Sequence, residues 1–166
     1  MGYKNQYYDF NVPKSLSEEE KLALSEDVIE YIRKRTEKCK DVTGTKFKSY
    51  SPEYINSLDF KIAGKSKGKV NLTQTGDMLA DIETLDIKEN KIRIGYEKGT
   101  LSDKKADGNA NVNGRPFLGF EGGEKEALKK IIKKHVKSEL TGKDELKALA
   151  WLDTKYAKKK GVKNGK

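Results

Sequence analysis

The sequence predicts an α+β fold, in which a small antiparallel sheet of three or four strands is flanked by two main amphipathic helices. Apolar residues recur at helical spacing over residues 18–38 and again over residues 122–139. Between these segments, residues 85–96 alternate apolar and polar side chains around a short polar turn, which is typical of a β-hairpin. A chain of 166 residues also fits one folded domain.

Residues 1–16 are predicted to form an extended N-terminal arm, because they show no helical period and contain the Val12-Pro13 pair. Such an arm is expected to lie on its own domain or on a neighbouring molecule. The capping box formed by Ser17 and Glu20 then predicts the start of the first helix. Aromatic residues are frequent in the arm: Tyr3, Tyr7, Tyr8 and Phe10.

Residues 41–72 are predicted to be largely irregular, with a short helix that starts near Ser51 and ends near Leu58. Residues 64–69 form a basic turn, which is either a solvated loop or a contact to nucleic acid. Residues 75–82 predict another short helix. Glycine and proline interrupt any longer periodic pattern in this part of the chain.

The most informative stretch is a polar segment followed by an apolar one. Residues 99–114 are rich in glycine and asparagine, which tolerate left-handed backbone angles, so a mobile loop rather than a packed element is predicted. Residues 115–120, here named the clip, read Arg-Pro-Phe-Leu-Gly-Phe and place three large apolar side chains within four residues. The clip either packs into the core as a plain turn or anchors the loop, and it is a candidate for a third strand.

Residues 141–166 are predicted to form a C-terminal helix and a basic tail. The net charge of the chain is +9, and residues 121–166 hold 14 Lys and Arg against 7 Asp and Glu. The basic surface is either a solvated helix face or a contact to phosphate groups or to an acidic protein surface. The tail itself contains five lysines: Lys158, Lys159, Lys160, Lys163 and Lys166.

No enzyme, metal site or cofactor site is predicted. The chain has one cysteine, Cys39, and one histidine, His135, so a zinc site and an internal disulfide are excluded. Any catalytic triad would have to use His135, which lies on an apolar helical face and is expected to be a core or flanking residue. The 64–68 segment lacks the spacing of a phosphate-binding loop. No segment resembles a signal peptide or a membrane span, so a protein made and used inside a cell, or packed into something assembled there, is expected, with no membrane partner.

Four segments, in the same order, resemble a known family. The clip is similar to the Arg-Pro-Phe-Leu-Gly signature of the Mu-like virion-morphogenesis and tail-completion proteins of tailed phages. Residues 44–54 resemble the family's Gly-x-x-Trp-x-x-Leu-Ser pattern, with Phe47 and Tyr50 in place of Trp and Leu. Residues 72–79 resemble its Leu-x-x-Thr-Gly-x-Leu motif, and residues 92–95 its strand that ends in glycine. The tail-completion-like domain then spans residues 17–140.

The resemblance implies a structural protein of the virion neck. Such proteins form a ring, hexameric or sometimes dodecameric, that completes or terminates the tail and joins it to the portal and head connector. The loop and clip are then expected to contact a neighbouring subunit, and the lysine tail to meet DNA or the portal. Residues expected between subunits are Gly99, Asp107, Asn109, Asn111, Asn113, Arg115, Pro116, Phe117, Leu118 and Phe120; those expected against adjacent rings or the tail tube are Tyr3, Tyr7, Tyr8, Phe10, Trp151 and Tyr156.

Two other functions stay open at the level of sequence. The lysine-rich C-terminal quarter also fits a monomeric accessory protein that binds DNA without sequence preference during packaging. A soluble interaction domain of another kind is the third hypothesis. Salt-sensitive DNA binding by a monomer would favour the first of these, and neighbouring genes unrelated to phage heads and tails would favour the second.

Overall fold

The computed structural model describes residues 3–72 and 77–157, and it has the predicted α+β architecture. A three-stranded antiparallel sheet has the strand order β1–β3–β2. The strands are β1 (Tyr7–Asn11), β2 (Glu83–Ile87) and β3 (Lys91–Gly95). The helices are α1 (Glu18–Glu37), α2 (Pro52–Ile55), α3 (Leu58–Ile62), α4 (Asp77–Ala80), α5 (Leu101–Asp107), α6 (Glu124–Glu139) and α7 (Gly142–Lys155), and a π-helical turn (Gly108–Val112) follows α5 directly.

Helix α1 begins at the predicted capping box. The backbone N–H of Glu20 donates to Ser17 Oγ at 3.1 Å, and the Ser17 N–H donates to the Glu20 carboxylate at 2.8 Å. These two bonds satisfy N–H groups that a helix start otherwise leaves unpaired. Leu24, Val28 and Ile32 on the inner side of α1 are fully buried. Helix α1 lies on the sheet, and α6 packs along α1 and α7.

The predicted hairpin is confirmed by β2 and β3. Lys88 N–H donates to Lys91 O at 2.8 Å across the turn. The pairing shifts register between Thr84 and Asp86, which leaves one extra residue, Leu85, in β2. Thr84 is thereby aimed at α1, where its hydroxyl lies 2.6 Å from Ser25 Oγ.

The third strand comes from the N-terminal segment, so the suggestion that the clip supplies it is wrong. Asp9 pairs with Arg93 in the register of β1 and β3, and Phe10 is buried. The close approach of the two strands requires Gly95, because a Cβ atom there would lie 2.5 Å from Gln6 O. The clip instead runs without strand pairing and buries Phe117 and Phe120 in the core.

The 99–114 segment is mostly helical, so the prediction of an unpacked loop is wrong. Helix α5 starts at Thr100, whose hydroxyl accepts from Asp103 N–H at 3.2 Å. Ala106 is fully buried, and the polar side chains of Ser102 and Asp103 are buried with hydrogen-bond partners. Polar composition therefore did not prevent packing, since the buried polar groups are paired. We call residues 99–114 the excursion.

Where one short helix was predicted from Ser51 to Leu58, the structure has α2, and α3 follows it as a helix that was not predicted. The hydroxyls of Ser51 and Ser57 cap their first turns. Helix α4 falls within the predicted 75–82 helix, of which residues 75 and 76 lie outside the described ranges. Thr141 precedes α7 as predicted, but its side chain makes no capping hydrogen bond.

Three buried or half-buried tyrosine hydroxyls donate hydrogen bonds that link distant parts of the fold. Tyr31 donates to Glu124 at 2.7 Å, and Tyr156 donates to Asn11 O at 2.7 Å. Tyr96 donates to Met78 O. Burial raises the pKa of all three phenols, and for Tyr31 the hydrogen bond to Glu124 adds to burial and brings the pKa to about 12.

We expect stability to fall in alkaline solution because of these tyrosines. Their raised pKa values contribute stability that is fully present below the unfolded tyrosine pKa of about 10. That contribution is lost as pH rises through the folded pKa, which is about 12 for Tyr31. Urea denaturation across this range, with tyrosinate absorbance as a second signal, measures the effect. In the Tyr31→Phe variant, the free energy of unfolding should decrease less steeply with pH than in the wild type. A wild-type free energy of unfolding that stays constant over this pH range would contradict the prediction.

Candidate functional site

The clip is held from one side by Arg35 of α1. One guanidinium nitrogen, Nη2, donates to Phe117 O at 2.8 Å and to Gly119 O at 2.7 Å. The other, Nη1, lies 3.2 Å from the Glu124 carboxylate. The guanidinium carbon is also 5.1 Å from the centre of the Phe120 ring. The Arg35 side chain is almost fully buried, so these charge-assisted bonds form away from water, where they are strong.

Arg115 holds the other end of the clip. Its Nε donates to Lys48 O at 2.8 Å, and its Nη2 donates to Ser49 O at 2.8 Å. The neighbouring Pro116 carbonyl accepts from Val42 N–H at 3.1 Å. The clip is therefore fastened to the 42–49 segment as well as to α1. The expectation that the clip forms a fixed base for the excursion agrees with this geometry.

Asp103 fastens the excursion to the N-terminal segment. Its carboxylate, which is fully buried, accepts from Asn5 Nδ2 at 3.0 Å, from Gln6 N–H at 2.7 Å and from Gly99 N–H at 3.0 Å. The Tyr3 hydroxyl accepts a further bond from Gly99 N–H at 2.8 Å. Through these bonds the residues just before β1 and the start of α5 form one unit, a connection between the arm and the 99–114 segment that the sequence did not predict.

The excursion nevertheless exposes apolar side chains at both of its ends. Leu101 is 69% exposed and Val112 is 80% exposed. Two asparagine side chains between them already form hydrogen bonds within the subunit. Asn109 donates to Lys105 O at 3.1 Å, and Asn111 donates to Asp107 at 2.6 Å. Asn113 is exposed. Leu101 and Val112, which the sequence analysis did not select, are thus the most accessible apolar groups of the excursion.

A groove of about 460 Å³ lies between the excursion and residues 48–54. Tyr50 forms its wall, with the Arg115 guanidinium 5.0 Å from the ring centre and Lys65 Nζ 5.2 Å from it. Tyr54 and Phe60 pack edgewise against Tyr50. Lining residues are Lys48, Ser49, Tyr50, Ser51, Tyr54, Asn109, Val112, Asn113 and Arg115. We name this the cationic groove.

The cationic groove was missed by sequence reasoning, which read residues 64–69 as a basic turn. Tyr50, Lys65 and Arg115 are far apart in the chain, and only the folded backbone brings them together. The available signal was the spacing of Tyr50, Tyr54 and Phe60, three aromatic residues in a segment otherwise rich in polar side chains.

The aromatic residues expected against adjacent rings divide into two groups. Phe10 is a core residue, and Tyr156 donates to Asn11 O while its ring packs against Trp151, so these residues are used within the subunit. Tyr8 is half-buried and lies 5.9 Å from Phe120. Tyr3 and Tyr7 are the exposed ones, although the Arg93 guanidinium covers the Tyr7 ring at 4.0 Å.

The single histidine joins two helices. His135 Nε2 on α6 lies 2.6 Å from Asp27 Oδ2 on α1, at hydrogen-bond distance. Within residues 3–72 and 77–157, no group of three histidine, cysteine or acidic residues is arranged to hold a metal ion. None of the helices in those ranges is long and apolar enough to cross a bilayer. The tail lysines, Lys158 to Lys166, lie outside the described residues.

Comparison with known proteins identified no related protein. No family model, no curated protein and no solved structure matches the chain. The functional conclusions below therefore rest on the residues and on the geometry of the fold.

Proposed function

We propose that this protein is a structural component of the neck of a tailed-phage virion. Copies assemble into a ring that completes the tail and joins it to the head connector. The observation that carries the proposal is the excursion, which is pinned at both ends and presents Leu101 and Val112 to solvent. Single exposed apolar side chains are common on protein surfaces, so the support comes from two of them on one segment that is fixed at both ends, as suits a contact with another subunit.

The position of the family-like segments supports the same proposal. The clip carries the tail-completion-like signature, and Arg115 at its start binds the backbone of the 44–54 segment through Lys48 and Ser49. Phe117 of the clip and Ile94 of the 92–95 segment belong to one core cluster. Two of the segments that resemble the family are thus in direct contact, and three of them contribute to the same core.

The proposed role is mechanical. A ring requires a heterologous contact, in which one surface of each subunit meets a different surface of the next. The excursion supplies one of these surfaces, and the sheet with α1 behind it supplies a rigid body that keeps the angle between successive subunits constant. The assembly closes as a ring when this repeated rotation completes a full turn without a rise along the axis, and we favour six subunits, with twelve as the larger form.

Replacing both exposed residues, as Leu101→Asp with Val112→Asp, should prevent ring formation. Burying a leucine or valine side chain contributes about 1.5 kcal/mol or more, so losing two should weaken assembly about a hundredfold. Light scattering of purified protein measures this: the wild type should have six or twelve times the mass of one subunit, and the variant the mass of a monomer. Circular dichroism should be unchanged, because both side chains are solvent-exposed.

Leu146→Asp is the matched control. Leu146 is 70% exposed on α7, which makes it as accessible as Leu101 but distant in the chain from the excursion. The control should assemble like the wild type. A wild-type protein that stays monomeric, and that binds DNA with strong salt dependence, would replace the ring proposal with the packaging-accessory function.

A further inference from the structure

The cationic groove lies among positive charges that form no ion pair. Arg115 and Lys48 line it, and Lys65, which is not a lining residue, lies beside it against the Tyr50 ring. Among residues 3–72 and 77–157, the ion pairs within 4.0 Å involve none of these three side chains. Burial and the nearby Arg115 lower the pKa of Lys65, which is the direction expected for like charges brought together without a counter-ion. The groove therefore favours an anion.

The polar groups of the groove indicate which kind of anion fits. Two donors of Arg115 are already bound to Lys48 O and Ser49 O, so Arg115 adds charge more than free hydrogen-bonding capacity. The rim also carries Val112, which is exposed and apolar. A surface that combines carboxylates with an apolar side chain suits this site better than a DNA backbone, which offers phosphates alone at the rim.

Such a surface exists elsewhere on the same chain. A second groove, of about 630 Å³, runs between α1 and the start of β2, and an adjoining one extends it toward Glu97. Exposed carboxylates and the half-exposed Leu22 form its walls. Arg33, the cation that lines it, donates to backbone carbonyls of residues 79–82 and, like Lys34, pairs with Glu30, while His135 contacts Asp27. The carboxylates of the two grooves that form no ion pair within the described residues are therefore Glu26, Asp81, Glu83 and Glu97. The acidic residues are Glu26, Asp27, Glu30, Asp81, Glu83 and Glu97. We name it the acidic groove.

We propose that the positively charged surface around the cationic groove of one subunit lies against the acidic residues around the second groove of another copy, with the exposed side chain of Val112 packing near Leu22. This inference rests on the proposed ring and identifies its two contact surfaces. The grooves share no lining residue, so one subunit can use both at once. That is the requirement for a heterologous contact that continues from subunit to subunit.

Charge reversal tests the pairing. One variant carries Lys48→Glu with Lys65→Glu, and the other carries Glu26→Lys with Glu83→Lys. Each variant alone brings like charges together, so the protein concentration needed for rings should rise at least about tenfold. An equimolar mixture of the two should restore rings, because each contact in an alternating ring again joins opposite charges. Light scattering and native mass spectrometry would detect the alternating composition.

A control for the lysine-reversed variant, Lys130→Glu with Lys133→Glu, makes the same change in net charge on the exposed side of α6 and should assemble normally. Wild-type rings that persist in both reversed variants would overturn the groove pairing while leaving the ring proposal intact. Folded reversed variants whose mixture forms no rings would also overturn it. If the lysine-reversed variant assembles normally but loses DNA retention, the groove binds phosphate instead. A monomeric wild type would instead refute the ring itself.

Discussion

Replacing Arg35 with methionine is expected to lower the free energy of unfolding by about 3–5 kcal/mol, the range seen when one partner of a buried ion pair is removed. Methionine keeps much of the side-chain volume but leaves Phe117 O and Gly119 O without their donor. It also leaves Glu124 with only the Tyr31 hydroxyl as a side-chain partner. The loss is large because the site is buried and water cannot replace the missing donors.

Lys34→Met is the matched control for this change. Lys34 is the preceding residue on α1, is largely exposed and pairs with Glu30 at 3.5 Å. Surface pairs of this spacing contribute about 0.3–0.5 kcal/mol, so the control should remain close to wild type. Urea denaturation of both variants gives the comparison. An Arg35→Met protein as stable as the Lys34→Met protein would show that the clip does not depend on the guanidinium.

Replacing Asp103 with asparagine is the second change with a large expected effect, about 2–3 kcal/mol. The substitution keeps the shape, but it turns one acceptor oxygen into a donor that faces other donors. Asn5 Nδ2, Gln6 N–H and Gly99 N–H all point at this carboxylate. Because the residues before β1 depend on these bonds, amide exchange in β1 should accelerate more than exchange in the β2–β3 hairpin.

Asp107→Asn, one turn later on α5, is the control for Asp103→Asn. Asp107 is half-buried and accepts from Gln6 at 3.4 Å and from Asn111 at 2.6 Å, both side-chain donors that are able to rearrange. Its loss should cost less than about 1 kcal/mol. Equal exchange rates in β1 for the two variants would contradict the assignment of Asp103 as the anchor of the N-terminal segment.

Local patterns in the sequence were sufficient for α1 and for the hairpin. Ser17 and Glu20 form a self-contained signal, because the capping bonds join residues only three positions apart. The same is true of the β2–β3 turn, closed by the bond between Lys88 and Lys91. Where the determining contacts are local, pattern and structure agree.

The elements that were predicted wrongly depend on contacts between distant residues. Strand β1 pairs with β3, so Asp9 is paired with Arg93, a residue separated from it by more than half of the sequence. No sequence pattern near Asp9 indicates that partner. Helix α5 is polar, and its stability as a packed element comes from Asp103 binding residues 5 and 6. Composition describes how polar a segment is but not whether its polar groups find partners.

The double fastening of the clip has a consequence for how the subunit transmits tension. Arg35 grips its middle from α1, and Arg115 grips the backbone of residues 48 and 49 at its start. A force applied at Val112 would therefore be transmitted through the hydrogen bonds of Arg115 and Arg35 to α1, the longest helix, and would not simply extend a flexible linker. We therefore expect the exposed end of the excursion to move only together with the rest of the subunit, as part of one rigid body.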